Sequence, residues 1–236
     1  STATPLGILD LSDRGAGFVR RRQFSYLAED GDLFVAPRLV SQFGLRTGDE
    51  LCGEVGRPPG RGKAPPVEQV TLVNGRPPDE ARRRQYGLEG CFVAVYAGSM
   101  GEANAIDVLV DAAALLQASG GESIRFLIIG QGRQTAAVRA RTVELGLQNV
   151  VFAGSVPRQD VPDLLRLGDV CLVLFKNLPV LGTNSPNKLF DALAAGRPVV
   201  VNSDGWTREL VESNQVGRWA TPGSAVSLAA QLQTLA

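Results

Sequence analysis

Hydrophobic and polar positions follow two different rhythms along the chain, and the change falls near residue 80. Before it, short alternating or β-rich runs cover Gly7–Leu11, Gly17–Arg20, Asp32–Val35, Glu50–Val55 and Val67–Val73. Turn sequences such as Asp13-Arg14-Gly15, Glu29-Asp30-Gly31-Asp32 and Thr47-Gly48-Asp49 separate them. Five short strands of this kind predict a small Greek-key barrel. The prolines of Arg57–Pro66 lack ladder donors, so this segment is expected to be an exposed loop between the last two strands. Asn74–Glu80 reads as the exit from the barrel, and Ala81–Tyr86, with three consecutive arginines, as a linker or short helix.

From residue 91 the apolar runs are too continuous for one-sided strands: Phe92–Tyr96, Ile124–Ile129, Val150–Phe152, Val170–Phe175 and Pro198–Val201. Such runs suit strands buried on both faces of a parallel sheet. Helical periodicity lies between and after them, over Ile106–Ala118, Arg133–Leu145, Asp160–Leu167, Lys188–Ala195 and Ser224–Leu235. Repeating βα units predict a doubly wound, Rossmann-like α/β domain. The expected division is an all-β barrel over residues 1–80, a linker over 81–87 and the α/β domain over 88–236.

Composition agrees with two globular domains: 236 residues, 44% hydrophobic and 20% charged. No apolar run reaches the roughly 18 residues that a membrane span needs. The net charge is zero, with 13 basic against 11 acidic residues through Gly87, so the first domain is slightly basic and the second slightly acidic. Arg20–Arg22 and the Arg57–Lys63 loop concentrate the positive charge. Histidine is absent, which excludes Ser-His-Asp and Cys-His catalysis and imidazole-ligated zinc; no metal and no cofactor is expected. Cys52, Cys91 and Cys171 are odd in number and widely spaced, and read as buried thiols in a reducing compartment. The sequence starts at Ser1 with no export signal, so a cytoplasmic location is expected, as is the possibility of a processed or excised piece.

Three clusters carry candidate chemistry. In the barrel, adjacent strands could present Phe18 and Phe34 as stacking platforms for bases, with Arg20 nearby for phosphate; spacing alone favours placing both aromatics in the core. In the second domain, Ala97–Asn104 forms a glycine-containing strand-to-helix turn whose amides could meet a diphosphate, and a tight turn with no ligand explains it equally well. Ser185-Pro186-Asn187-Lys188 opens a helix, with Asp191 one turn further on. Lysine and helix amides suit phosphates and a carboxylate suits ribose hydroxyls, but a solvated lysine and an unremarkable acidic residue fit the same spacing.

Residues 6–75, including Gly7–Asp10, Gly17–Arg20, Asp32–Val35, Leu45–Asp49 and Arg57–Pro59, resemble the cold-shock-like RNA-binding domain of transcription termination factor Rho. The resemblance implies an OB-fold that takes single-stranded, pyrimidine-rich RNA, with Phe18, Arg20, Asp32 and Phe34 as contacts. Ala16 replaces a frequent second aromatic, and Lys63–Pro66 lacks the family's Glu-Arg-Tyr type of segment. Weak RNA binding is therefore expected, since each stacked base contributes about 1 to 3 kcal/mol.

Residues 88–236 resemble the donor-binding half of a retaining, family-4-type glycosyltransferase of the two-Rossmann GT-B architecture. The motifs are Phe92–Gly101, Phe126–Gly132, Val151–Pro157, Asp169–Val173, Ser185–Asp191 and Ala194–Val200. The resemblance implies a nucleotide-sugar donor held by Gly98, Ser99, Gly101, Gly130, Ser185, Asn187, Lys188 and Asp191, with the base near the turn after Phe152. Ser99 and Asn104 stand where Arg and Lys often neutralise the leaving diphosphate; Thr183 replaces the first glutamate of a two-glutamate signature and Asp191 the second. No catalytic residue is assigned. A Rho-like barrel occupies the place of the acceptor-binding Rossmann domain, and no phosphate-binding loop of the Rho motor follows. The expected function is donor binding joined to single-stranded RNA binding, incomplete for catalysis as this chain. The alternatives are a Rho-like RNA-binding module and a natural or engineered hybrid with neither activity.

Overall fold

A computed structural model describes residues 4–120, 123–181 and 185–236. The chain divides into two compact units, Ser1–Glu89 and Gly90–Ala236.

In the amino-terminal unit, β1 (Gly7–Leu11), β2 (Gly17–Arg20), β3 (Leu33–Val35), β4 (Glu50–Val55) and β5 (Val67–Val73) form an antiparallel sheet in the order β3-β2-β1-β4-β5. The sheet curls until its edges meet: the Phe34 amide donates to the Pro65 carbonyl at 2.8 Å, and Phe34 forms a parallel bridge with Pro66. Two register shifts between β4 and β5, at Cys52/Gly53 and Glu54/Val55, supply the bend. A side chain at Gly53 would strike the Gln69 carbonyl, so glycine permits this close pairing. Leu9, Val19, Val35, Leu51, Val70 and Val73 point inward and form the core. This is the expected OB-like barrel.

Two helices complete the unit. α1 (Pro37–Phe43), which the strand-centred expectation omits, begins with Pro at its first turn and ends at Gly44 in the left-handed region, φ 57°. Its Leu39, Val40 and Phe43 pack on the barrel core. α2 (Pro78–Gln85) carries Asp79 and Glu80 in its first turn and Arg82–Arg84 in its last, the order that the helix dipole favours. Arg82 is buried and donates to the Gln42 carbonyl, and Gln85 donates to the Gly44 carbonyl. Residues 81–85, expected as linker or short helix, are thus helical and pack within this unit.

In the carboxy-terminal unit, β6 (Phe92–Ala97), β7 (Ile124–Ile129), β8 (Val150–Gly154), β9 (Val170–Val173), β10 (Val199–Val201) and β11 (Gly217–Trp219) form a parallel sheet in the order β11-β10-β9-β6-β7-β8. β6, β7, β9 and β10 are buried on both faces, as their unbroken apolar sequences require. On one face α3 (Ile106–Ala118), α4 (Thr135–Glu144) and α8 (Ala225–Leu235) contribute to a core with Tyr96, Phe126, Ile128 and Leu172. The others, α5 (Val161–Leu165), α6 (Asn187–Ala194) and α7 (Trp206–Ser213), pack on β6, β9 and β10. The doubly wound expectation holds; α7 and β11 are additions to it. β11 is short and half-exposed, so its periodicity was too brief to read.

Chain order reverses between β6 and β9, which opens a crevice at the carboxyl ends of those strands. The strand-end turns on either side of β6 and β7 lie backbone against backbone. Gly98 donates to the Ile129 carbonyl at 3.0 Å, Gly130 to Gly154 at 2.7 Å and Met100 to Gln131 at 3.3 Å. A Cβ on Gly130 would run into the Gly98 carbonyl, and one on Gly132 would lie 2.7 Å from the Met100 carbonyl. Gly130 also has φ 117°, a conformation L-residues rarely adopt. Gly130→Ala should therefore lower the stability of this unit by more than about 2 kcal/mol, whereas Gly146→Ala, with positive φ but open space, should cost about 1 kcal/mol. Urea unfolding midpoints of the two variants check this.

Candidate functional site

The crevice at the strand-order reversal is lined from every element that reaches it. β6 and its turn give Val95, Ala97 and Gly98, and β7 gives Ile129 and Gly130. The turn after β8 gives Ser155, Val156 and Arg158, α5 gives Val161 and Leu165, β9 gives Cys171 and Leu172, and α6 gives Lys188 and Asp191. Four of the eight donor-site residues expected from sequence, Gly98, Gly130, Lys188 and Asp191, face this one cavity. Ser99 and Gly101 lie on the adjoining turn, and Ser185 and Asn187 are exposed at the start of α6. Thr183 lies outside the described residues.

Lys188 is the most constrained charge in the site. Its ammonium donates to Asn104 Oδ1 at 2.6 Å and to the Leu174 carbonyl at 3.3 Å, and sits 4.2 Å from the Phe175 ring centroid and 5.1 Å from that of Tyr96. Burial lowers its pKa from 10.5 to about 8. Each wall of this cage is held in turn. The Tyr96 hydroxyl donates to the Ser99 carbonyl at 2.7 Å, which also accepts from Asn104 Nδ2 at 2.9 Å. The buried Asn202 clasps the backbone of Phe175, accepting from its amide at 2.7 Å and donating to its carbonyl at 2.9 Å. Tyr96, Phe175 and Asn202 are absent from the sequence-based site. An asparagine directly after the apolar run Val199–Val201 was the legible signal for the last of these.

Asp191, one turn along α6 from Lys188, lines the same cavity and pairs with Arg158 at 3.3 Å. Arg158 is mostly exposed and lies 33 residues away in sequence, so periodicity does not associate the two. Cys171 is buried, and desolvation pushes its thiol up to about 12, with Arg197 acting slightly in the opposite direction; it is a packing residue. Cys52 is buried as expected, whereas Cys91 is only half-buried.

The barrel carries a second cluster. Val19 and Leu9 point inward, so the alternate positions Phe18, Arg20, Ile8 and Asp10 share the opposite face. Phe18 pairs directly with Phe34 in the ladder, and the rings meet edge to face with centroids 5.8 Å apart. Both are half-buried on the outer face, which corrects the core placement that spacing alone favours. Arg20 lies 5.5 Å over the Phe18 ring and is gripped by Asp10 at 2.9 Å and by the buried Asp32. Burial by itself would lower the Arg20 pKa; hydrogen bonds and charge from Asp32 and Asp10 outweigh it and raise it. Asp32 Oδ2 also accepts from the Glu29 amide at 2.9 Å, while its buried Oδ1 has no partner among the described residues. Phe18, Arg20, Asp32 and Phe34 therefore form one connected patch.

Among the described residues no group of three His, Cys, Asp or Glu side chains could hold a metal ion, and no helix is long and apolar enough to cross a membrane.

A parallel sheet with this strand order and helices on both faces, with a crevice at its reversal point, defines a Rossmann-like, GT-B-type domain. Residues 91–236 match the family model described as "Glycosyl transferases group 1", and the chain belongs to that family. Residues 6–79 match the model "Rho termination factor, RNA-binding domain", so the chain joins a Rho-like RNA-binding domain to a glycosyltransferase domain. Transcription termination factor Rho of Escherichia coli K12 is 38% identical over 79 residues, which are 33% of this chain and 19% of that protein. Rho of Buchnera aphidicola from Schizaphis graminum gives the same figures. Among solved structures, Anabaena Alr3699/HepE in complex with UDP and glucose superposes with a TM-score of 0.55 at 23% identity, covering 66% of this chain and 41% of that one. The catalytic domain of cholesterol-alpha-glucosyltransferase from Helicobacter pylori gives 0.51 at 18%, covering 61% and 85%. At these identities the superpositions establish the fold.

The depressed pKa of Lys188 has a thermodynamic consequence. Between about pH 8 and 10.5 the unfolded chain holds a proton on this lysine that the folded chain has lost, so its contribution makes stability rise with pH. Cys171, with its folded pKa raised, works in the opposite direction above its ordinary value of 9.0. The difference in urea stability between the wild type and Lys188→Met should therefore shift in favour of the wild type from pH 8 to 9. A pH-independent difference would contradict the buried environment of the ammonium.

Proposed function

We propose that the carboxy-terminal unit binds a nucleotide-sugar donor in the crevice beside Lys188. The observation that carries this reading is the convergence of Lys188, Asp191 and the Gly98 and Gly130 turns on one cavity at the strand-order reversal. The diphosphate lies beside the Gly98–Gly101 turn, where the Ser99 and Gly101 amides have no partner among the described residues, and takes the charge of Lys188. Asp191 accepts from the ribose hydroxyls. The base occupies the slot at Ser155, Val156 and Arg158, with Arg158 supporting both base and carboxylate. UDP is the appropriate first probe, because the superposed Anabaena protein has been solved with UDP and glucose. The reaction class is sugar transfer with retention, and it needs an acceptor surface across the donor. Donor binding is accordingly the activity proposed for this chain.

The connected patch of Phe18, Phe34, Arg20 and Asp32 favours a second activity for the amino-terminal unit, the weak binding of single-stranded, pyrimidine-rich RNA. The outward rings stack on bases, the buried Asp32 holds the Arg20 guanidinium in place, and Arg20, although paired, keeps one face toward solvent. A cytoplasmic location suits both activities.

Titration calorimetry with UDP should show binding that is nearly constant from pH 7 to 8 and weakens above about pH 8, by up to tenfold per unit, as Lys188 loses its proton. Lys188→Met should bind more weakly and lose this dependence. Absence of heat at millimolar UDP and GDP sugars would remove the donor-binding reading. For RNA, fluorescence anisotropy with oligo-C should show binding that weakens with salt and falls by roughly five- to 150-fold in Phe34→Ala. Binding that ignores salt and Phe34 would reject the RNA reading.

A further inference from the structure

The outer face of the barrel does not end at Arg20. Ile8 lies directly opposite Arg20 on β1 and opposite Glu50 on β4, so all three side chains share the face that carries Phe18 and Phe34. Beyond this row is an open groove of about 590 Å³, within the range of about 300 to 1,000 Å³ typical of small-molecule clefts. Leu6 and Ile8 line it from β1 and the residue before it, Glu50 from β4, and Arg22 and Tyr26 from the wall made by the segment that follows β2.

The wall is an unusual piece of backbone. After a 3-10 turn over Arg22–Phe24, both Ser25 and Tyr26 adopt left-handed conformations, with φ 53° and 61°. Residues with a Cβ rarely adopt that region, because the Cβ crowds the carbonyl oxygen. The turn is nevertheless fixed: the Ser25 amide donates to the Arg22 carbonyl at 3.0 Å and the Tyr26 amide to the Arg21 carbonyl at 3.2 Å. Arg21 packs over the Phe24 ring at 4.9 Å and closes against Gly31, where a Cβ would collide with its guanidinium. The result holds an aromatic ring 48% exposed at the groove, with the exposed Arg22 beside it. Backbone strain of this kind, retained by surrounding structure, is typical of functional positions.

We propose that this groove is an additional nucleotide subsite, in which Tyr26 stacks on a base and Arg22 meets the phosphate of a single strand that continues from the Phe18–Phe34 patch. The inference rests on the RNA-binding reading of that patch. Continuity decides the occupant: Arg20 is two residues along β2 from Phe18, a span of about 7 Å that one extended nucleotide reaches, and its ladder partner Ile8 lines the groove. Charge decides it as well, because Arg21 and Arg22 outweigh the single carboxylate of Glu50. Glu50 lines the same groove and can accept from a base N–H, either the amino group of cytosine or the N3–H of uracil.

The test uses the full chain, with anisotropy of labelled hexacytidylate and competition by unlabelled dicytidylate. Tyr26→Ala should weaken hexanucleotide binding by roughly five- to 150-fold and leave dinucleotide competition unchanged. Tyr26→Phe should restore it, and Arg22→Gln should reduce the salt slope of the hexanucleotide by about one. Phe34→Ala should weaken both lengths. Wild-type binding that depends on Phe34 but is indifferent to Tyr26 would overturn the subsite alone. Equal losses for both lengths in Tyr26→Ala, with no rescue by Tyr26→Phe, would also overturn it by marking a folding effect. Failure of the wild type to bind either oligonucleotide would overturn the subsite and the RNA reading together.

Discussion

The carboxy-terminal unit depends on two turns lying backbone against backbone. Gly98–Met100 and Gly130–Gly132 approach so closely that side chains at Gly130 and Gly132 would occupy the space of main-chain atoms. That contact ties the ends of β6 and β7 and holds the carbonyl of Ser99 where Tyr96 and Asn104 donate to it. Asn104 in turn receives the Lys188 ammonium. A packing constraint between glycines thus sets the position of the principal charge in the cleft.

The same cage explains how Lys188 can be buried. Two aromatic rings, an amide oxygen and a carbonyl offset part of its lost hydration, and the remaining penalty appears as a lowered pKa. A bound diphosphate would supply the counter-charge that the protein omits.

In the barrel the governing fact is alternation. Once Leu9, Val19 and Val35 fill the interior, Phe18 and Phe34 must face outward, because neighbouring positions on a strand point to opposite sides. Arg20 is then held between Asp10 and Asp32 instead of standing free. This arrangement orients the patch and limits its net positive charge.

All five barrel strands and five of the six strands of the parallel sheet were legible, because unbroken or alternating apolar runs report burial directly. The alternating pattern of the barrel strands does not include α1, although Pro37, the spacing of Leu39, Val40 and Phe43, and Gly44 encode it. Lys188, Asp191 and the glycine turns were recognisable by motif. Arg158, Tyr96, Phe175 and Asn202 were not, since their roles arise only when separate strand ends converge. By itself the sequence determined the two folds, the absence of imidazole chemistry and the residue types available for each site. Tertiary structure alone decided that Phe18 and Phe34 lie outside the core and that Lys188 is caged, because exposure and pKa depend on neighbours brought from distant segments rather than on local spacing.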